Sequence, residues 1–196
     1  MEIEIPSYLY EQTEILGQVF LLPLDLGAIP EMRLGIQSLV RQRQLGEEDS
    51  FHLLLVVDEL VTNAMIATFN HAPSEKILLH IRLSPQWAGV CVLDYGGGFD
   101  LSDTLNKIPD GGSLREFMVN LQHYKNQSGP GFIPYNKRIV EHPRFGRGLR
   151  IVAGLVSSLT LVFHGSDLSF SDNRTDNTRG TLVKAIYDLR GPILEN

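Results

Sequence analysis

Between Phe51 and Asn70 the apolar residues Leu54, Val57, Leu60, Val61, Ala64 and Met65 recur every three or four positions. That spacing predicts a helix with a broad buried face. Upstream, Ile29, Met32, Ile36, Leu39 and Val40 predict an amphipathic helix over 28–45, with Gly46 as its stop. Asp49 or Ser50 is placed to cap the longer helix, and Glu47 and Glu48 suit the positive end of its dipole. Ahead of both helices, the stretch 18–24 (QVFLLPL) is apolar and β-prone, and Pro23 marks it as an edge strand. The period then changes to two. Ile77, Leu79, Ile81 and Leu83 alternate with Lys76, Leu78, His80 and Arg82, as in a strand with one face on a core. Pro85-Gln86 turns the chain into a second strand over 88–94. A later hairpin is predicted from 158–164 and 181–187, joined by the polar link 165–180 and entered through a short helix over 148–156.

Strand, two helices, two strands, insertion, helix, two strands is the order of an α+β fold. Its expected form is a two-layer sandwich with helices on one face of a mostly antiparallel sheet. Residues 101–145 interrupt it with glycines and prolines, and only Leu114–Tyr124 reads as helical there. A segment of that length is usually a functional lid or a disordered loop. At 196 residues the chain fits one domain. The expected division is an extension over 1–17, a single domain over 18–188 and a tail over 189–196. A formal charge of −6 argues against nucleic acid as a direct partner. No apolar run reads as membrane-spanning and the acidic N-terminus lacks a signal peptide's basic start, so a cytoplasmic protein without membrane contact is expected. The one cysteine, Cys91, has no internal disulfide partner and reads as a strand residue.

Four places carry candidate chemistry. Glu59 and Asn63 lie four apart on the long helix, about 6 Å along its axis, and share one stripe. They fit a reacting hydroxyl and a hydrated magnesium ion; a capped or hydrogen-bonded polar pair in a core helix explains the same residues. Asp94 begins Asp-Tyr-Gly-Gly-Gly98 at a strand end. An acceptor-only carboxylate there suits the exocyclic amine of adenine and repels the carbonyl of guanine, while Gly96 and Gly98 let backbone approach a flat base. A tight turn capped by aspartate explains the same residues. Arg144-Phe-Gly146-Arg147-Gly148 precedes a helix, and amides at a helix start form an anion site. A solvated basic face, with Lys137, Arg138 and Arg150, is the alternative. Gly180-Thr181 opens the last strand and says little alone.

In the order ExxxN, DxGxG, GxGL, GT, these residues resemble the nucleotide-binding domain of the GHKL ATPases, whose fold is the Bergerat-type sandwich. Within that superfamily, DELVTNA followed by DYGGGFD resembles the bacterial anti-sigma-factor serine kinases of the RsbW and SpoIIAB type. The resemblance covers about residues 18–100 and 144–188. It implies an enzyme, a protein-serine kinase using ATP and Mg2+, which holds a sigma factor, phosphorylates a small antagonist protein and works as a homodimer in signalling and transcription regulation. By position it makes Glu59 the catalytic base, Asn63 the magnesium ligand and Asp94 the adenine reader, with Gly96 and Gly98 beneath the base. It puts Gly146, Arg147 and Gly148 at the phosphates, Thr181 near adenine and Arg144 in a lid. Three features depart from that pattern, the first being that residues 1–17 extend beyond its usual start. Ala67 stands where a histidine is frequent, and the 99–146 segment is long.

Two rival classes remain. One is a non-catalytic binding module of the same fold, with nucleotide as a structural ligand. The other is the kinase half of a phosphorelay, for which no histidine-bearing dimerisation helix precedes the domain. The six histidines show no metal-ligand spacing. Ser157-Ser158 reads as a helix end, Trp87 as packing on the sheet edge, and Asp58 as structural, about 100° around the helix from Glu59.

Overall fold

The computed structural model describes residues 15–98, 131–142, 147–167 and 169–190. In chain order its elements are β1 (Leu16–Leu22), α1 (Ile29–Arg43), α2 (Glu47–His71), β2 (Ile77–Leu83), β3 (Trp87–Leu93), β4 (Gly131–Tyr135), β5 (Arg138–His142), α3 (Arg147–Leu155), β6 (Ser158–Gly165), β7 (Phe170–Ser171) and β8 (Thr178–Asp188). Six strands make one sheet in the order β1-β2-β3-β8-β6-β7, and each neighbouring pair is antiparallel.

The period-two pattern decides which face is covered. Ile77, Leu79, Ile81 and Leu83 of β2, Val90 and Val92 of β3, and Ala185 and Tyr187 of β8 are all buried on the helix side. They meet Leu53, Val56, Val57, Leu60, Val61 and Met65 of α2, with Met32 and Ile36 of α1. Each such side chain contributes about 1.5–3 kcal/mol of burial, so α2 is held by this face rather than by its own propensity. The result is the α+β sandwich expected from the periodicity. By length and composition α2 is nonetheless apolar enough to cross a membrane, contrary to the expectation that no run would be; here it is the core helix, with 50% of its most apolar window buried.

Several local expectations change. α1 ends at Arg43, where Gln44 turns left-handed (φ 57°) and its N–H returns to the carbonyls of Val40 and Arg41. Gly46 is the first cap of α2 rather than the stop of α1. Asp49 and Ser50 both lie inside the first turns. Asp49 is needed elsewhere, because its carboxylate accepts the Tyr187 hydroxyl at 2.7 Å and the Arg190 N–H at 3.1 Å. Trp87 stands on an interior strand, not at an edge, and its ring covers Gly89 beneath the Arg82 guanidinium, 5.8 Å from the ring centre. Asp58 is indeed tied down, taking a two-pronged ion pair from Arg33 at 2.9–3.0 Å.

The insertion, expected to be irregular, contains the β4–β5 hairpin. Asn136 and Lys137 both adopt positive φ (50° and 65°), the geometry of a two-residue hairpin turn. Asp25, after β1, clips that turn: its carboxylate accepts the N–H groups of Gly27, Asn136 and Lys137 at 2.7, 2.8 and 3.0 Å. Lys137 first, with the other two amides, holds the Asp25 carboxyl below its ordinary range. Ile133 is fully buried in the same core, so the hairpin is built onto the helical layer. The helix expected over 114–124 lies outside the described residues.

Candidate functional site

Asp94 follows β3, and the β3–β8 register sets Thr181 beside it; the Asp94 N–H donates to the Thr181 carbonyl at 2.9 Å. The carboxylate is buried, 7% exposed. Its Oδ1 accepts the Gly96 N–H at 2.7 Å and the Thr181 N–H at 3.3 Å, and its Oδ2 accepts the Thr181 hydroxyl. A carboxylate offers about four acceptor positions, so one is left for a ligand donor. Burial raises the Asp94 carboxyl above its ordinary pKa, opposed by the Thr181 hydroxyl, the Gly96 and Thr181 amides, and the nearby His164. Three donors thus orient a carboxylate whose ionised form is costly. A donor from a ligand would relieve that cost.

The loop after Asp94 lies close to α2. Its Tyr95 N–H donates to Thr68 Oγ1 at 2.9 Å. A Cβ on Gly96 would come within 2.6 Å of the Ala67 Cβ, so small residues are needed on both sides of this contact. Gly97 and Gly98 adopt φ 72° and 77°, conformations that favour glycine. Gly97 rests against the His71 ring, and Arg174 Nε donates to its carbonyl at 3.2 Å.

Glu59, Asn63 and Ala67 form one stripe of α2, with Glu59 and Asn63 half-buried as their apolar neighbours predicted. From Ala67, under the glycine loop, back to Glu59 is eight residues of helix, or about 12 Å. At that far end α3 closes in. A Cβ on Gly148 would overlap Glu59 Oε2, so the Gly148 backbone sits directly against this carboxylate. The start of α3 at Arg147 is therefore beside Glu59, and its first amides lie where an anion could be held.

The structure thus brings Asp94, Gly96, Gly98 and Thr181 together at one end of the stripe and Glu59 and Gly148 at the other, with Asn63 between. Gly146 and Arg144 lie outside the described residues, as does the side chain of Arg147. Among the described residues no group of three His, Cys, Asp or Glu side chains converges on a cation position. The donor set fits magnesium only in its nucleotide-bound manner, with the Asn63 amide oxygen as a single protein ligand beside phosphate oxygens and water. Two residues escape a reading of the sequence, His164 and Thr68, and so does the contact that Gly180 makes with Asp94. His164 Nε2 lies 2.7 Å from the Asp94 carbonyl, and a Cβ on Gly180 would overlap that same oxygen. The register of β6 with β8 reveals His164 and Gly180, and the packing of α2 against the Asp94 loop reveals Thr68.

The fold is that of the GHKL class of ATPase domains. The chain belongs to the histidine kinase-like ATPase domain family, whose model matches residues 22–171. No curated protein matches the chain significantly.

Proposed function

We propose that this domain binds ATP with magnesium and transfers the γ-phosphoryl group to a serine of a small antagonist protein, as a cytoplasmic partner-switching regulator that also holds a sigma factor. One observation carries the reading: the α2 stripe runs about 12 Å along the helix axis from Ala67, packed under the glycine loop that follows Asp94, to the Glu59 carboxylate beside Gly148. That is the reach of an extended nucleoside triphosphate from base to terminal phosphate. Asp94 takes the amine of adenine, and Gly96 and Gly98 lie under the ring. Asn63 supplies the magnesium oxygen, while Gly146, Arg147, Gly148 and Arg144 attend the phosphates. Glu59 orients the serine hydroxyl and accepts its proton as the serine oxygen bonds to the γ-phosphorus. The bond from that phosphorus to the bridging oxygen breaks, and ADP leaves. Nucleotide binding alone does not require a carboxylate at Glu59, which favours the kinase over a module that only binds.

The outer face of the sheet supports a homodimer. The register aligns Leu21, Leu78, Leu93, Leu182 and Val162 in one apolar row across five strands, and Leu21 is 62% exposed. Such a row suits a second copy of the chain.

The test is phosphate transfer from labelled ATP to a candidate antagonist protein. Glu59→Gln is expected to keep ATP affinity and lose about 10²–10⁴-fold in transfer rate. Transfer at the wild-type rate would remove Glu59 from the chemistry. ATP binding by the wild type with no transfer to any serine would replace the kinase reading with that of a binding module.

A further inference from the structure

We infer that His164 is a positioning residue for the base-reading carboxylate, acting through the peptide between Asp94 and Tyr95; the inference rests on the ATP reading above. β8 lies between β3 and β6 in the sheet, and His164 on β6 is in register with Gly180 on β8. The imidazole nevertheless reaches Asp94 beyond β3, its Nε2 2.7 Å from the Asp94 carbonyl oxygen. It can do so only because the residue between has no side chain: a Cβ on Gly180 would overlap the Asp94 carbonyl and come within 2.8 Å of His164 Nε2. The glycine before Thr181 is thus a window in the middle strand.

A carbonyl oxygen only accepts, so Nε2 carries the proton and donates. The N–H of the same peptide unit belongs to Tyr95, and it donates to Thr68 Oγ1 at 2.9 Å. One planar peptide is therefore gripped at both ends, by β6 through His164 and by α2 through Thr68. Both grips are buried: His164 is 6% exposed and Thr68 0%. The Tyr95 ring stands edge-on to the imidazole, with centres 5.1 Å apart and planes at 85°, which limits its rotation.

The orientation of this peptide sets ψ of Asp94 and φ of Tyr95. Those two angles fix the direction of the glycine loop relative to the carboxylate. The three donors on the carboxylate set its position, whereas the clamp sets where the base-stacking backbone lies against it. Losing the His164 donor lets the peptide rotate and leaves a buried carbonyl without a partner. The consequence is a looser fit to the purine edge, and poorer discrimination between an amine and a carbonyl.

The test compares His164→Leu, which removes the donor, with His164→Gln, whose amide nitrogen reaches the Nε2 position. Thr68→Val opens the other end of the clamp should the leucine variant fail to fold. Titration with ATP and GTP is expected to show about a tenfold loss in the ATP-to-GTP preference for His164→Leu and Thr68→Val. His164→Gln should stay near the wild type. Amide hydrogen exchange at Tyr95, measured without nucleotide, should accelerate in the leucine variant and be restored by glutamine. Unchanged preference and unchanged exchange in His164→Leu would overturn the inference, and so would a glutamine variant as impaired as the leucine one. A wild type indifferent between ATP and GTP would instead overturn the ATP reading, while the exchange at Tyr95 would still report whether the clamp exists.

Discussion

Two carboxylates are buried at opposite ends of this core, and they do different work. Asp49, 4% exposed, sits in the first turn of α2; Asp94, 7% exposed, sits beyond the other end of the same helix. Both are held by β8, Asp49 through the Tyr187 hydroxyl and Asp94 through Thr181. Burial, together with the Asp49 carboxylate, keeps the Tyr187 hydroxyl protonated well above its ordinary range. Asp49 even borders a cleft of about 200 Å³, with Arg43, Pro85 and Leu189. Neither burial nor a neighbouring cleft therefore marks a site. The difference lies in the backbone opposite. Asp49 gains the favourable end of a helix dipole and an amide from Arg190, so its charge is compensated from within the fold. Asp94 opens a loop with two positive-φ glycines, and burial holds its carboxyl above the ordinary range in spite of three donors. Its compensation is incomplete until a donor arrives.

That contrast can be broken at its most rigid point. Gly180→Ala drives a methyl group into the Asp94 carbonyl, which is backbone and cannot give way. The expected loss is about 3 kcal/mol or more of stability, read from the urea midpoint, with loss of ATP binding. Gly148→Ala meets only the end of the Glu59 side chain, and should leave the midpoint nearer the wild type.

Asp49→Ala sharpens the comparison from the other end. It removes the acceptor of the Arg190 amide and leaves the Tyr187 hydroxyl only its longer contact with His52 Nδ1 at 3.2 Å, and should cost about 2 kcal/mol while ATP affinity stays unchanged. A large fall in ATP affinity without loss of stability would erase the distinction between the two carboxylates.

The smallest effect is a pH slope. The folded pKa of Asp94 is raised, so its stabilising contribution is complete below the ordinary aspartate pKa and is lost as pH rises through the folded value. Asp94→Asn removes this titration, and its amide can still accept from the Gly96 and Thr181 amides and donate to the Thr181 hydroxyl. The stability of Asp94→Asn relative to wild type should therefore increase as pH rises from 4 toward neutrality. A constant difference would contradict the assignment of the shift to Asp94.

Much of this was legible in the residues. The three- and four-residue spacing of Leu54 through Met65 located the core helix, and the alternation of Ile77 to Leu83 oriented β2 because one face is dry. Glu59, Asn63 and Asp94 stood out as polar groups in apolar runs. What the pattern missed depends on distant partners. The start of α2 was misjudged because Asp49 looks like a cap, whereas its carboxylate answers to Tyr187 and Arg190 more than 130 residues away. The β4–β5 hairpin escaped because Pro134 interrupts the alternation and its turn uses Asn136-Lys137 rather than Asn-Gly. His164 carries no local signal at all, and nothing local in Gly180-Thr181 shows that the glycine lets His164 reach Asp94. Their meaning is a register across three strands.

The most direct test of the central claim is calorimetric titration of the wild type and Asp94→Asn with ATP and GTP, with and without magnesium. The wild type should bind ATP at least about a hundredfold more tightly than GTP, and the asparagine variant should lose that preference, since its amide presents a donor to an amine. Equal affinity of the wild type for the two nucleotides, or an asparagine variant that still selects ATP, would contradict it.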